Sequence, residues 1–274
     1  PAAPRGAKWV EPPRVVTKVR YRADRQGFLE NGVRQLFTVP ADGGTPRQVT
    51  TGDWPANGNT WTPDGKSLLF TSNRVSDAEY SWRQSDIYRV DVASGSITQL
   101  TKRNGPDNNP VPSPDGRYVA YAGYDSTDAT WKDAILYVMD ADGSNPRALT
   151  EKLDRSPSGM MWAPDGSGIY FNAENEGSRH LFHASLKGEV KQVTKGAQVL
   201  SVSDLGRNFM AVGTMSTSDH PTDIVAFDVR TPTPRWLTEV NADVLAGKKL
   251  ATTEEVWYRS VDGFRIQGWI VKPA

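Results

Sequence analysis

The chain has 274 residues, 37% of them hydrophobic and 23% charged, a composition that suits one large or two small globular domains and excludes a disordered polymer. Its 32 basic and 32 acidic residues cancel, so there is no electrostatic ground for nucleic acid or an anionic membrane as partner. No cysteine occurs, which excludes disulfides, thiolate zinc sites and a cysteine nucleophile, and no apolar run reaches the roughly 18 residues of a spanning helix.

Twenty-four glycines, 19 prolines and 9 tryptophans favour tight turns between aromatic-bearing strands over long helices. Residues 1–14 lack the apolar centre of a secretory signal, and because residue 1 is not Met the sequence is compatible with a piece of a longer chain. The compartment is left open.

In chain order, VVTKVRYRADRQGFLE (15–30) lacks a PDG motif and reads as an inner strand or two of a blade that begins differently. LFTVPADGGTPRQVT (36–50) then introduces a form that returns four times, as IYRVDVASGSITQLT (87–101), LYVMDADGSNPRALT (136–150), LFHASLKGEVKQVT (181–194) and IVAFDVRTPTPRWLT (224–238). Each is an aromatic-rich strand, a short turn and a strand ending in an apolar residue and threonine. The closing threonines, Thr50, Thr101, Thr150, Thr194 and Thr238, are spaced by 51, 49, 44 and 44 residues.

Between these hairpins runs a second motif: WTPDGKSLLF (61–70), PSPDGRYVAY (112–121), WAPDGSGIYF (162–171) and a degraded SVSDLGRNFM (201–210). Pro presets one torsion of the turn, Asp bonds its amides and Gly accepts positive φ. Each period thus holds four short antiparallel strands. Periods of roughly 40–50 residues with four strands apiece are the signature of propeller blades. A β-sandwich has no reason to repeat PDG and the closing threonine in phase. The expectation is an all-β chain carrying a partial β-propeller over residues 1–250, with about four to five blades of an incomplete seven- or eight-bladed ring. Only NADVLAGKKL (241–250) suits a turn or two of helix.

The last stretch, NADVLAGKKLATTEEVWYRSVDGFRIQGWIVKPA (241–274), alternates apolar and polar residues around Asp262-Gly263, a hairpin signal. Trp257, Ile266 and Trp269 want a core. The blades resemble those of TolB, the periplasmic translocation protein, as much as those of peptidases. The tail is more specific. Its Glu254-Glu255, Tyr258-Arg259-Ser260, Asp262-Gly263, Ile266-Gln267-Gly268-Trp269 and Lys272-Pro273 resemble the passage that follows the propeller in the prolyl oligopeptidase family, including its acylaminoacyl-peptidase and dipeptidyl-peptidase branches. PRVVTKVRYRADRQGFL (13–29) with the following QLFTVPADGG is similar to a mid-propeller stretch of bacterial members. The resemblance implies that residues 251–274 are a linker and the first β-hairpin of an α/β-hydrolase domain. It further implies a serine peptidase acting on short peptides by acylation of a serine and release by water. The propeller would gate access, excluding folded proteins by size. The implied partners are a peptide substrate and the hydrolase domain of the same polypeptide, with no nucleic acid, no membrane and no cofactor; self-association is left open. The alternative is a TolB-like binding propeller without enzymatic activity.

The chemistry of that family needs a G-x-S-x-G elbow, and none occurs in this sequence. DGSG (165–168) has the wrong spacing and makes Ser167 a turn residue. Catalytic residues are therefore expected to be none, and this segment alone inactive. His180 and His183 lie three apart on a predicted strand, hence on opposite faces, and His220 precedes Pro221 in a loop. Nothing here has metal-ligand spacing, which also disfavours a lactonase- or lyase-type propeller using a central metal. Asp64, Asp115 and Asp165 recur because the turn recurs.

In a four-stranded meander, the connections other than the PDG and D-G turns lie at one end of each blade. Here these are long: SNRVSDAEYSWRQS (72–85), GYDSTDATWKDA (123–134), NAENEGSR (172–179), and the inter-blade TTGDWPANGN (50–59) and TKRNGPDNNP (101–110). In a propeller of the resembled family, long polar loops with embedded aromatics on one face suggest the side that contacts the hydrolase domain and meets substrate. The gating candidates are Arg74, Asp77, Tyr80, Trp82, Arg83, Asp125 and Trp131. The acidic propeller residues with which dipeptidyl branches hold a peptide amino terminus do not align with Asp77 or Glu79.

Overall fold

A computed structural model describes residues 5, 6, 13–30, 32–129 and 131–273. The chain opens with a small hairpin, β1 (Arg22–Ala23) and β2 (Gly27–Phe28), which stands as a two-stranded sheet of its own. It does not supply inner strands to the first blade, contrary to the reading of 15–30. Its strands are two residues each, too short to present an apolar face, and Val15, Val16 and Val19 before them remain exposed. The first blade is accordingly an outer pair only, β3 (Phe37–Thr38) and β4 (Arg47–Gln48).

Four complete antiparallel blades follow. The second holds β5 (Asn57–Trp61), β6 (Ser67–Ser72), β7 (Asp86–Asp91) and β8 (Ile97–Gln99). The third holds β9 (Asp107–Pro112), β10 (Tyr118–Gly123), β11 (Ile135–Asp140) and β12 (Arg147–Ala148). The fourth holds β13 (Ser158–Trp162), β14 (Gly168–Asn175), β15 (Ser178–Ser185) and β16 (Val190–Gln192). The fifth holds β17 (Val199–Leu205), β18 (Met210–Ser216), β19 (Asp223–Asp228) and β20 (Arg235–Trp236). One helical turn, α1 (Ala242–Leu245), leads to a terminal hairpin of β21 (Thr252–Arg259) and β22 (Arg265–Lys272). The first strands β5, β9, β13 and β17 are successive neighbours, and among the described residues the sheets do not close into a ring.

Alternation along the middle strands sends side chains to both faces of each blade, so the core forms at the seams. Phe70 and Tyr88 meet Leu36 and Val49 of the first blade, while Leu69 and Ile87 meet Val119 and Tyr121 of the third. Phe171 and Phe182 face the third blade, and Leu181 faces the fifth. Polar links cross the seams as well. Buried Asn172 uses its amide as a short piece of backbone, donating to Val202 O and accepting from Val202 N, both at 2.9 Å. Trp162 Nε1 donates to Val111 O at 2.9 Å.

The closing threonines form a latch. Thr50, Thr101, Thr150, Thr194 and Thr238 each accept through Oγ1 the backbone N–H of an aliphatic residue at or near the start of the hairpin's first strand, Leu36, Ile87, Leu136, Leu181 and Ile224, at 2.8–3.0 Å. Thr50, Thr101 and Thr238 pass their hydroxyl proton to the preceding side chain, Gln35, Asp86 and Asp223. Ile135 cannot accept, so the third blade keeps only the first half. The PDG aspartates behave as local turn acceptors: Asp64 takes Lys66 N and Asp115 takes Arg117 N at 3.1 Å, and Asp165 takes Ser167 N at 3.0 Å. Hydrogen bonding holds Asp115 down to about 2, with the Ser113 hydroxyl the largest cause.

Candidate loop-end groove

The end of the second and third blades opposite the PDG turns carries a groove of about 780 Å³. One wall is the β6–β7 connection. Backbone bonds from Tyr80 N and Ser81 N to Asp77 O, at 2.8 and 2.9 Å, wind it into a single turn, and Ser81 Oγ donates to Asp77 Oδ2 at 2.8 Å. This winding turns Tyr80 and Trp82 outward, 74% and 67% exposed. The Arg83 guanidinium stacks over Trp82 at 4.7 Å and donates to Ala129 O at 3.3 Å, joining this connection to the next blade's.

Of the residues expected from sequence, Asp77, Tyr80, Trp82 and Arg83 line this groove. Three do not. Arg74 lies over Tyr88 at 4.7 Å on the seam with the first blade, where burial lowers its pKa. Asp125 stands beside the floor, its Oδ1 3.8 Å from Arg103 Nε. Trp131 is 83% exposed on the β10–β11 connection.

The floor itself was missed by sequence reasoning. Gln84 clamps the inter-blade connection, donating to Arg103 O and accepting from Gly105 N, both at 2.8 Å. Arg103 pairs with fully buried Asp107 and stacks over Tyr137 at 4.2 Å. That pair rests directly on Gly123. A Cβ there would lie 2.2 Å from Arg103 Nη2 and 2.4 Å from Asp107 Oδ1, so only glycine leaves room. Asp86 completes the floor, accepting from Thr101 Oγ1 at 3.2 Å and from Gln99 Nε2 at 3.1 Å. Burial pushes its carboxyl up to about 6 against the pull of Thr101, and the Asp107 charge adds to the rise. Burial likewise raises Asp107, opposed by the Arg103 charge. The signal in TKRNGPDNNP was present but looked like loop polarity.

The fourth blade departs from the expected pattern. NAENEGSR (172–179) is not a long polar loop: β14 and β15 run eight residues each and are joined by the two residues Glu176 and Gly177. Both have positive φ, 47° and 65°, the geometry of a type I′ hairpin turn.

The histidines have local partners. His180 is buried with Nδ1 3.4 Å from Thr194 Oγ1, and His183 meets Tyr170 at 4.7 Å. His220 stacks on Trp236 at 3.9 Å with Nε2 3.3 Å from Asp223 Oδ2. Ser167 is a turn residue bonded to Asp165. Among the described residues no group of three or more His, Asp or Glu side chains is placed to share a metal ion.

Residues 6–131 match the family model described as the dipeptidyl peptidase IV N-terminal region. Dipeptidyl-peptidase 5 of Porphyromonas gingivalis is 25% identical over 252 residues, covering 90% of this chain and 37% of that protein. Among solved structures, an acylaminoacyl peptidase in complex with Z-Gly-Gly-Phe-chloromethyl ketone aligns with a TM-score of 0.71 at 16% identity, over 97% of this chain and 40% of that one. TolB from Acinetobacter baumannii aligns at 0.58 and 22% identity, over 75% of this chain and 49% of that one. These structural likenesses concern the fold. The chain spans about a third of the length of the curated relatives it matches first.

Proposed function

We propose, on the premise that this chain belongs to the prolyl oligopeptidase family as part of its β-propeller, that it selects short peptides for a serine hydrolase domain of the same polypeptide. Residues 1–250 are the partial propeller, and 251–274 are the linker and first hairpin of that α/β domain. Acylation would be carried out by the hydrolase domain. Nothing in these 274 residues forms a nucleophile elbow, so this segment alone should not hydrolyse peptides.

The observation that carries the reading is a shared end of the blades. The β14–β15 turn lies at the same end as the β6–β7 connection, and the terminal hairpin touches it through Gln267 Nε2, which donates to Glu176 O at 2.8 Å. The groove and the terminal hairpin therefore lie on one side of the propeller. A groove with exposed aromatic rings and an adjacent guanidinium suits a peptide's side chains and carbonyls.

Arg83 is the residue to test, because Arg74 is committed to the seam. In the polypeptide carrying the hydrolase domain, Arg83→Glu should alter kcat/KM unevenly across a panel of short peptides differing in charge. Equal kcat/KM ratios across the panel would remove the gating role. Should that polypeptide hydrolyse no peptide at all, the non-enzymatic binding propeller would replace this reading.

A further inference from the structure

We infer that the tip of the fourth blade is a built seat for the terminal hairpin, and that Gly177 is glycine so that Trp269 can lie on it. A Cβ on Gly177 would stand 2.3 Å from both Cη2 and Cζ2 of Trp269. The tryptophan ring therefore occupies the space in which any other residue would place its side chain.

Polar contacts fix the same joint. Gln267 Nε2 donates to Glu176 O at 2.8 Å and to Glu255 Oε1 at 2.9 Å. Arg265 Nη1 lies 3.8 Å from Glu176 Oε1, and its guanidinium covers Trp257 at 3.7 Å. Cross-strand register explains why these groups act together. Glu255 opposes Trp269, Trp257 opposes Gln267, and alternation puts Arg265, Gln267 and Trp269 on one face of β22. Ile266, paired with Tyr258, belongs to the other face, so the three apolar residues expected to share one core are divided between two.

The blade is shaped for this purpose. Its middle strands are eight residues long where those of the second and third blades are six, and a two-residue turn replaces the long connections used there. The extension projects the turn beyond its neighbours' strands. The seat exists within this chain and does not depend on the peptidase reading. Where that reading holds, the seat sets the angle at which the hydrolase domain leaves the propeller.

Backbone hydrogen exchange on this chain tests the inference. Trp269→Ala removes the ring and leaves the turn untouched. Gly177→Asn keeps a residue that tolerates positive φ but adds the Cβ that evicts the ring. Both variants should raise exchange across residues 252–272 by tenfold or more while leaving protection in β6, β10 and β18 unchanged. Unchanged exchange in the hairpin in either variant overturns the seat, as does equal loss of protection throughout the blades. Neither result bears on peptide hydrolysis, so this failure is distinct from failure of the gating role.

Discussion

Replacing Asp86 with Asn should stabilise the chain at neutral pH and have little effect in acid. Asp86 is 6% exposed, and its pKa is raised from 3.8 to about 6, chiefly by burial. An acid whose folded pKa lies above its unfolded value holds its proton more tightly when folded. Its contribution is complete below 3.8 and is lost as pH rises through about 6, so at pH 8 the fold carries an ionised carboxylate at a cost. The difference between the two values corresponds to roughly 3 kcal/mol at about 1.4 kcal/mol per tenfold. Water in the adjacent groove screens part of that, leaving about 1–2 kcal/mol. Asparagine retains an acceptor for Thr101, and Gln99 can turn its amide over to receive the new N–H. Urea melts of Asp86→Asn and the parent at pH 8 should differ by about 1–2 kcal/mol in favour of the variant, shrinking to a small fraction of this at pH 4. An equal gain at both pH values, or a loss at pH 8, would refute burial of the charge as the cause.

The threonine latch predicts a graded series. Thr194→Val keeps shape but leaves the N–H of buried Leu181 without an acceptor, at about 1–3 kcal/mol by denaturation. Thr238→Val should cost less, because Ile224 is 43% exposed and water can replace the hydroxyl. Asn172→Ala strands both Val202 N and Val202 O between the fourth and fifth blades; a loss on the order of 3 kcal/mol is expected in urea melts. Gly123→Ala should push Arg103 and Asp107 apart and lower the melting temperature, whereas Gly65→Ala, with nothing within 4 Å of the added methyl, should cost only the strain of its positive φ.

The blade repeat was legible in the sequence because its chemistry is local. An aspartate two residues from the amide it accepts, and a glycine at positive φ beside it, are written within one turn, as at Asp64 and Gly65. The closing threonine was legible as a recurring letter, though its partner some 14 residues away gave the reason. Which connections share an end of the blades was legible too, since strand order alone alternates the two ends. Four of the seven gating candidates line one groove on that ground.

What the tertiary structure decided are contacts between residues that no short pattern relates. Arg103 and Asp107 need a bare Cα at Gly123, sixteen or more residues on. Asn172 reads as a surface polar residue until Val202 is placed against it. Gly177 looks like loop glycine until Trp269, far along the chain, covers it. Turn geometry is determined by φ, ψ and neighbouring side chains, so it can be read along the chain. Seams and seats depend on which surfaces meet once the strands have stacked, and that is settled only by the packing of the whole.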